Sequence, residues 1–240
     1  MGCAPVTSNS DRAFEAPDLI EVMDEAVRYN AFLIGELERW AAGAGPLLDF
    51  GAGNGRFAGA LHERGLDVHA IEPDRALREK IAGKGVATHE GLDALDAQSF
   101  GGIYTLNVLE HLEDDRAVLE AFYRVLRAGG KLFIYVPAFE LLFGANDERV
   151  GHLRRYRLKP LVRQLEAVGF AVERADYVDC VGFLAALVYN SIGSSDGDLS
   201  VNSVKLYDRF AFPLSRALDP LFQRILGKNL LVSAIKPAGS

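Results

Sequence analysis

The chain has 240 residues, 49% hydrophobic and 25% charged, enough for one globular domain with a continuous core and room for an inserted segment. A net charge of -7 and a pI near 5.3 argue against a broad nucleic-acid footprint, which needs clustered Lys and Arg. Cys3 and Cys180 cannot build a disulfide framework and neither lies in a zinc-binding spacing, so a reducing cytoplasm is the simplest compartment; no metal is expected, because Asp147 and His152 alone fall short of a ligand set and no H-x-x-x-H or H-E-x-x-H appears.

Residues 1–15 are polar and irregular and read as a flexible tail, with residues 16–240 as one domain. The start carries no charged region followed by an apolar run, so it does not read as a secretory signal. From Asp18 to Ala42 an amphipathic helix is predicted, with Met23, Val27, Asn30, Ile34, Leu37 and Ala41 on one face. Beyond Gly43-Ala44-Gly45-Pro46, short β-rich runs alternate with helices, the pattern of βαβ units around a parallel sheet. Strands are expected near Leu47–Phe50, Val68–Ile71, Val86–His89, Ile103–Leu106 and Leu132–Val136. Helices are expected near Arg56–Arg64, Asp74–Lys84 and Arg116–Leu126. Pro160 opens a further helix that Gly169 ends; Ala171–Val178 reads as a sixth strand and Leu230–Lys236 as a seventh.

The first strand ends in Asp49 and runs through Gly51-Ala52-Gly53-Asn54-Gly55 into a helix, a turn tight enough for backbone to approach a ligand closely. The third glycine comes one position too early for the nicotinamide fingerprint G-x-G-x-x-G, and Arg56 stands where that glycine belongs. Asp49 suits a cofactor bearing an ammonium and a sulfonium. Glu72, at the end of the second strand, can accept from both hydroxyls of a ribose; its bland alternative is a solvated carboxylate.

Together, Leu47–Gly55, Glu72-Pro73-Asp74 and Asn107–Asp114 resemble the class I S-adenosylmethionine-dependent methyltransferases over about residues 18–180. Leu109-Glu110-His111-Leu112 is similar to the branch that includes quinone-biosynthesis and other small-molecule methyltransferases. The resemblance implies a Rossmann-like three-layer α/β sandwich whose seven-stranded, mostly parallel sheet has an antiparallel last strand. It implies S-adenosylmethionine as cofactor, lined by Asp49, Gly51, Ala52, Gly53 and Gly55, with Glu72 and Pro73 at the ribose and Asp93 near the adenine amine. Asn107 and Val108 would close the site, and Tyr29 and Asn30 would cap it. Gly101-Gly102 departs from the Phe-Asp pair that relatives often carry there, which blurs the start of the fourth strand.

The segment after the fifth strand lies where open α/β sheets place ligands. His152 is the first candidate for a general base and His111 the second, although either can serve only structure. Phe139, Phe143, Arg155 and Tyr156 are candidate acceptor contacts; alternatively, Arg154 or Arg155 pairs with Asp147 or Glu148, and the aromatics belong to the core.

Between the sixth and seventh strands, about residues 181–227 form a helical insertion. Val181, Phe183, Leu184, Leu187 and Val188 make one apolar stripe, and Leu214, Leu218, Leu221, Phe222 and Ile225 another. A lid over the acceptor is expected, with core extension, a homodimer contact or a peripheral membrane contact as the other readings. The longest apolar run, Val181–Tyr189, is far below the ~20 residues of a spanning helix. The expected activity is methyl transfer to oxygen or nitrogen of a small-molecule, lipid-linked or saccharide acceptor. A non-catalytic cofactor-binding partner subunit and a nicotinamide-dependent oxidoreductase are the alternatives.

Overall fold

The computed structural model describes residues 22–192 and 201–239. The expected tail, the start of the first helix and residues 193–200 of the insertion lie outside the described residues. Seven strands form one sheet: β1 (Leu47–Phe50), β2 (Val68–Ile71), β3 (Ala87–His89), β4 (Phe100–Leu106), β5 (Leu126–Pro137), β6 (Ala171–Val178) and β7 (Asn229–Ile235). Their order is β3-β2-β1-β4-β5-β7-β6, and only β7 runs antiparallel to its neighbours. The strand order reverses between β1 and β4, so the carboxyl ends of these two strands open the crevice where such sheets take ligands.

Period-two alternation sends successive residues to opposite layers. Leu47, Tyr104, Phe133 and Tyr135 face α1 (Val27–Ala41), α2 (Arg56–His62) and α3 (Arg75–Ala82), with Leu33, Leu37, Leu61 and Ile81 as the helical partners. Leu48, Ile103, Leu132 and Ile134 face α4 (Asp115–Val125) and, beyond the short α5 (Ala145–Val150), α6 (Leu158–Val168), which contribute Leu119, Phe122, Leu161 and Leu165. Burial of one such side chain stabilises by ~1.5–3 kcal/mol.

Several expectations shift. The first helix breaks at Ala26; Met23 and Val27 are 37% and 67% exposed, and Leu33 joins Leu37 and Ala41 on the buried face instead. β4 starts at Phe100 and includes Gly101 and Gly102; a Cβ at Gly101 would lie 1.4 Å from the Ala44 carbonyl oxygen, so the strand passes that close only with glycine there. β5 begins at Leu126, six residues before the expected start, with Gly129 in left-handed backbone inside it.

Between β6 and β7 lie α7 (Cys180–Ile192), α8 (Val201–Leu206), a π turn (Tyr207–Ala211) and α9 (Phe212–Phe222). The last helix is inverted relative to expectation. Leu214, Leu221, Phe222 and Ile225 are exposed, whereas Ser215 and Asp219 are buried. The reason is a polar junction. Asp219 accepts from the amides of Asp179 and Cys180 at 3.2 and 2.9 Å, and Ser215 Oγ donates to Asp179 at 2.6 Å. Buried amides at the start of α7 need acceptors, and α9 turns its polar side inward to provide them. Leu184 and Val188 of α7 are also exposed.

Candidate functional site

The loop after β1 is held from both sides. Gly51 and Ala52 donate to the Ile71 carbonyl at 2.9 and 3.1 Å, and Thr105 Oγ1 donates to the Phe50 carbonyl at 3.1 Å. Gly51, Gly53 and Gly55 all have positive φ, which is costly for any residue with a Cβ. At Gly51 the obstacle to a side chain is Val108, whose Cγ2 would lie 2.4 Å from a Cβ. The expected obstacle was a ligand; the observed one is the turn after β4.

Glu72 ties the loop to the second strand. Its Oε2 accepts from the Gly53 amide at 2.8 Å and its Oε1 from the Asp74 amide at 3.0 Å. Burial raises its carboxyl above the ordinary range, against the lowering effect of those amides. Each carboxylate oxygen retains acceptor capacity for a further donor. Asp49 lies beneath the loop on the α1/α2 side, 3% exposed; among the described residues its Oδ2 has no partner at ordinary hydrogen-bond geometry, and burial pushes its carboxyl up to about 7 against the lowering effect of the Tyr104 hydroxyl.

Around this loop, Pro73 and Asp93 are exposed, Asp93 in a 3-10 turn (Leu92–Ala94) past β3. Asn107 is exposed in left-handed backbone, φ +53°, its amide donating to the Tyr135 carbonyl at 2.8 Å. Tyr29 packs edge-on against Tyr135 and against Phe212 of the insertion, at ring separations of 6.2 and 5.4 Å. Asn30 is buried and donates its side-chain amide to the Met23 carbonyl at 2.9 Å, so it secures the helix start. Asp208 accepts from the Arg28 and Tyr29 amides at 2.9 and 2.8 Å, capping α1 from a residue 180 positions away. Sequence reasoning missed Asp208, because no local pattern marks a cap supplied by a distant turn.

Residues 23–175, more than half of the chain, match the methyltransferase domain family. The chain belongs to that family. An uncharacterised methyltransferase of Mycobacterium tuberculosis is 34% identical over 121 residues, 47% of this chain and 45% of that protein. A ubiquinone biosynthesis O-methyltransferase of Pseudomonas entomophila is 30% identical over 106 residues, 40% of this chain and 46% of that protein. The chain thus matches less than half the length of these curated relatives. A SAM-dependent methyltransferase from Archaeoglobus fulgidus aligns with TM-score 0.59 at 17% identity, over 86% of this chain and 94% of that one. Geranyl diphosphate C-methyltransferase from Streptomyces coelicolor aligns with TM-score 0.62 at 13% identity, over 86% and 76%. The residues fit S-adenosylmethionine, the donor that the resemblance implies: a glycine loop, a half-used Glu72 and a buried Asp49 carboxylate beside the Tyr104 hydroxyl.

On the acceptor side, the expected candidates divide. Arg155 is committed to Asp147, Nε to Oδ1 at 2.9 Å and Nη2 to Oδ2 at 3.0 Å, with a further bond to the Ala138 carbonyl. It is therefore a structural clamp, as the alternative reading had it. Tyr156 is 7% exposed and donates to Asp115 at 2.7 Å from within the core, so it forms no acceptor wall. Phe139 has φ +61° and stacks on Tyr177 at 4.6 Å, with Phe183 of the insertion edge-on at 5.2 Å. Phe143 is partly buried. His152 Nδ1 lies 2.6 Å from Asp147 Oδ1, and its ring meets that of His111 at 4.7 Å. Burial, reinforced by His152, pushes the His111 imidazole down to about 4, and burial pushes Glu110 up to about 8. In the sequence Glu110 stands only as part of Leu109-Glu110-His111-Leu112, and nothing local shows that His152 returns to it across 42 positions.

Proposed function

We propose that this chain transfers the methyl group of S-adenosylmethionine to an oxygen or nitrogen of a small-molecule, lipid-linked or saccharide acceptor. The observation that carries the reading is Asp49: a buried carboxylate with only the Tyr104 hydroxyl named beside it costs stability unless a ligand supplies a further donor, and the cofactor's ammonium is one. In this reading Gly51, Ala52, Gly53 and Gly55 present backbone to the methionine moiety. Glu72 with Pro73 takes the ribose, Asp93 the adenine, and Asn107, Val108 and Tyr29 close the pocket. The acceptor loses a proton, its oxygen or nitrogen gains the methyl carbon, and the sulfonium becomes a neutral thioether in S-adenosylhomocysteine. The protein's contribution is alignment of the in-line approach. The likeness to a ubiquinone biosynthesis O-methyltransferase favours oxygen.

The insertion serves as cover on the acceptor side. Phe183 meets Phe139, Phe212 meets Tyr29, and Asp208 caps α1 beside Tyr29. Calorimetric titration tests the assignment: S-adenosylmethionine and S-adenosylhomocysteine should bind and NADH should not. Binding of NADH with no response to either would overturn it. Labelled S-adenosylmethionine incubated with fractionated cell extract then identifies the acceptor by product mass.

A further inference from the structure

Glu110 is 0% exposed in the turn after β4, and among the described residues neither of its carboxylate oxygens has a hydrogen-bond partner. Such a group is costly to bury unless something pairs with it. Its neighbours are two imidazoles. One ligand atom from each of Glu110, His111 and His152 lies within 4.8 Å of the others, and His152 Nε2 is 3.6 Å from Glu110 Oε1. Slight side-chain rotation closes that span to the ~3–4 Å separating the ligands of one bound ion.

The far side of each ring is fixed. His111 Nδ1 faces the Gly151 carbonyl at 3.2 Å and His152 Nδ1 faces the Asp147 carboxylate at 2.6 Å. Neither partner can donate, so each Nδ1 carries a hydrogen, and in the neutral ring that leaves the lone pair on Nε2. Asp147 is itself held by the Arg155 fork and by the Gly144 amide at 2.9 Å. Anchoring through Nδ1 to a carbonyl or carboxylate is how proteins orient metal-binding histidines.

We propose that Glu110, His111 and His152 bind one divalent transition-metal ion of the zinc, cobalt or nickel type. Two imidazoles and one carboxylate suit these ions, whereas magnesium and calcium take all-oxygen sets. Three protein ligands leave a position open, and both histidines reach partial solvent exposure, so an oxygen ligand can enter there. The turn carrying Glu110 and His111 also carries Val108, which packs on Gly51, so the ion would sit beside the donor loop. Binding of the ion stands on this geometry alone. Only a role in holding an acceptor oxygen rests on the methyltransferase reading.

The test is titration of chelator-treated protein with cobalt or zinc chloride, with neither methyl donor nor acceptor present. One ion per chain is expected, with visible cobalt absorption. His152→Ala, His111→Ala and Glu110→Gln should each weaken binding at least ~10-fold, and Asp147→Asn by ~10–100-fold through the orientation of His152. S-adenosylhomocysteine affinity, measured in parallel, reports that each variant is folded and keeps a failure here separate from failure of the cofactor assignment. The isosteric Glu110→Gln serves if a histidine variant unfolds. A wild-type chain that takes up no stoichiometric ion, or folded variants that bind as wild type does, would overturn the proposal.

Discussion

Arg155 closes on Asp147 as a fork, and both side chains are almost out of water, 9% and 2% exposed. Bidentate guanidinium pairing of this kind is strong while intact and costly when half is removed. Arg155→Met should therefore destabilise the fold by ~3–5 kcal/mol in urea unfolding, because it strands a buried carboxylate. Adding Asp147→Asn should recover part of that loss. A single-variant cost below ~1 kcal/mol, the value of an exposed pair, would mean that the carboxylate is not held as described.

Asp49 makes stability depend on pH. Its folded value of about 7 lies above the ~3.9 of an unfolded aspartate, so the unfolded chain releases the proton first. Stability should fall as pH rises from about 4 and level off above about 7, a loss on the order of 4 kcal/mol in the absence of ligand. Asp49→Asn should remove this slope and gain on wild type as urea midpoints are compared from about pH 5 to about pH 8. In the same pH window S-adenosylhomocysteine should bind wild type more tightly as Asp49 ionises, and the variant should show no such trend. Parallel pH profiles for the two proteins would refute the role.

Gly51 offers a steric test. An alanine there meets Val108 at 2.4 Å and sits at φ +79°. Gly51→Ala should lose cofactor binding and ~2 kcal/mol or more of stability. Gly51→Ala with Val108→Ala relieves the clash but not the backbone strain, so only part should return. Equal stability of the single and double variants would rule out the clash as the cause.

Asp208→Ala removes the distant cap of α1. A loss of ~1 kcal/mol is expected, with faster amide exchange at Arg28 and Tyr29 and weaker S-adenosylhomocysteine binding through Tyr29. Unchanged exchange at those two amides would show that the insertion does not steady the helix.

The sheet was legible because buried parallel strands read as short apolar runs, and Leu47–Phe50 and Val68–Ile71 were placed to the residue. The cofactor loop was legible from the spacing of Gly51, Gly53, Gly55 and Glu72. What escaped depends on contacts between distant residues. Leu214, Leu221 and Ile225 form a helical stripe that periodicity assigns to the interior, yet the amides of Asp179 and Cys180 demand Asp219 there. Tyr156 is drawn inward by Asp115 and Arg155 by Asp147, pairings that one-dimensional spacing does not distinguish from acceptor contacts.

The position of β7 constrains how the chain can be made. It lies between β5 and β6 and follows both in sequence, so β6 reaches the rest of the sheet only through a strand that leaves the ribosome after it. Until β7 emerges, the facing edges of β5 and β6 each present unpaired backbone, the geometry on which intermolecular strand pairing begins. The insertion lengthens that interval during synthesis, and its outward-facing leucines and phenylalanine add to what a chaperone would have to shield.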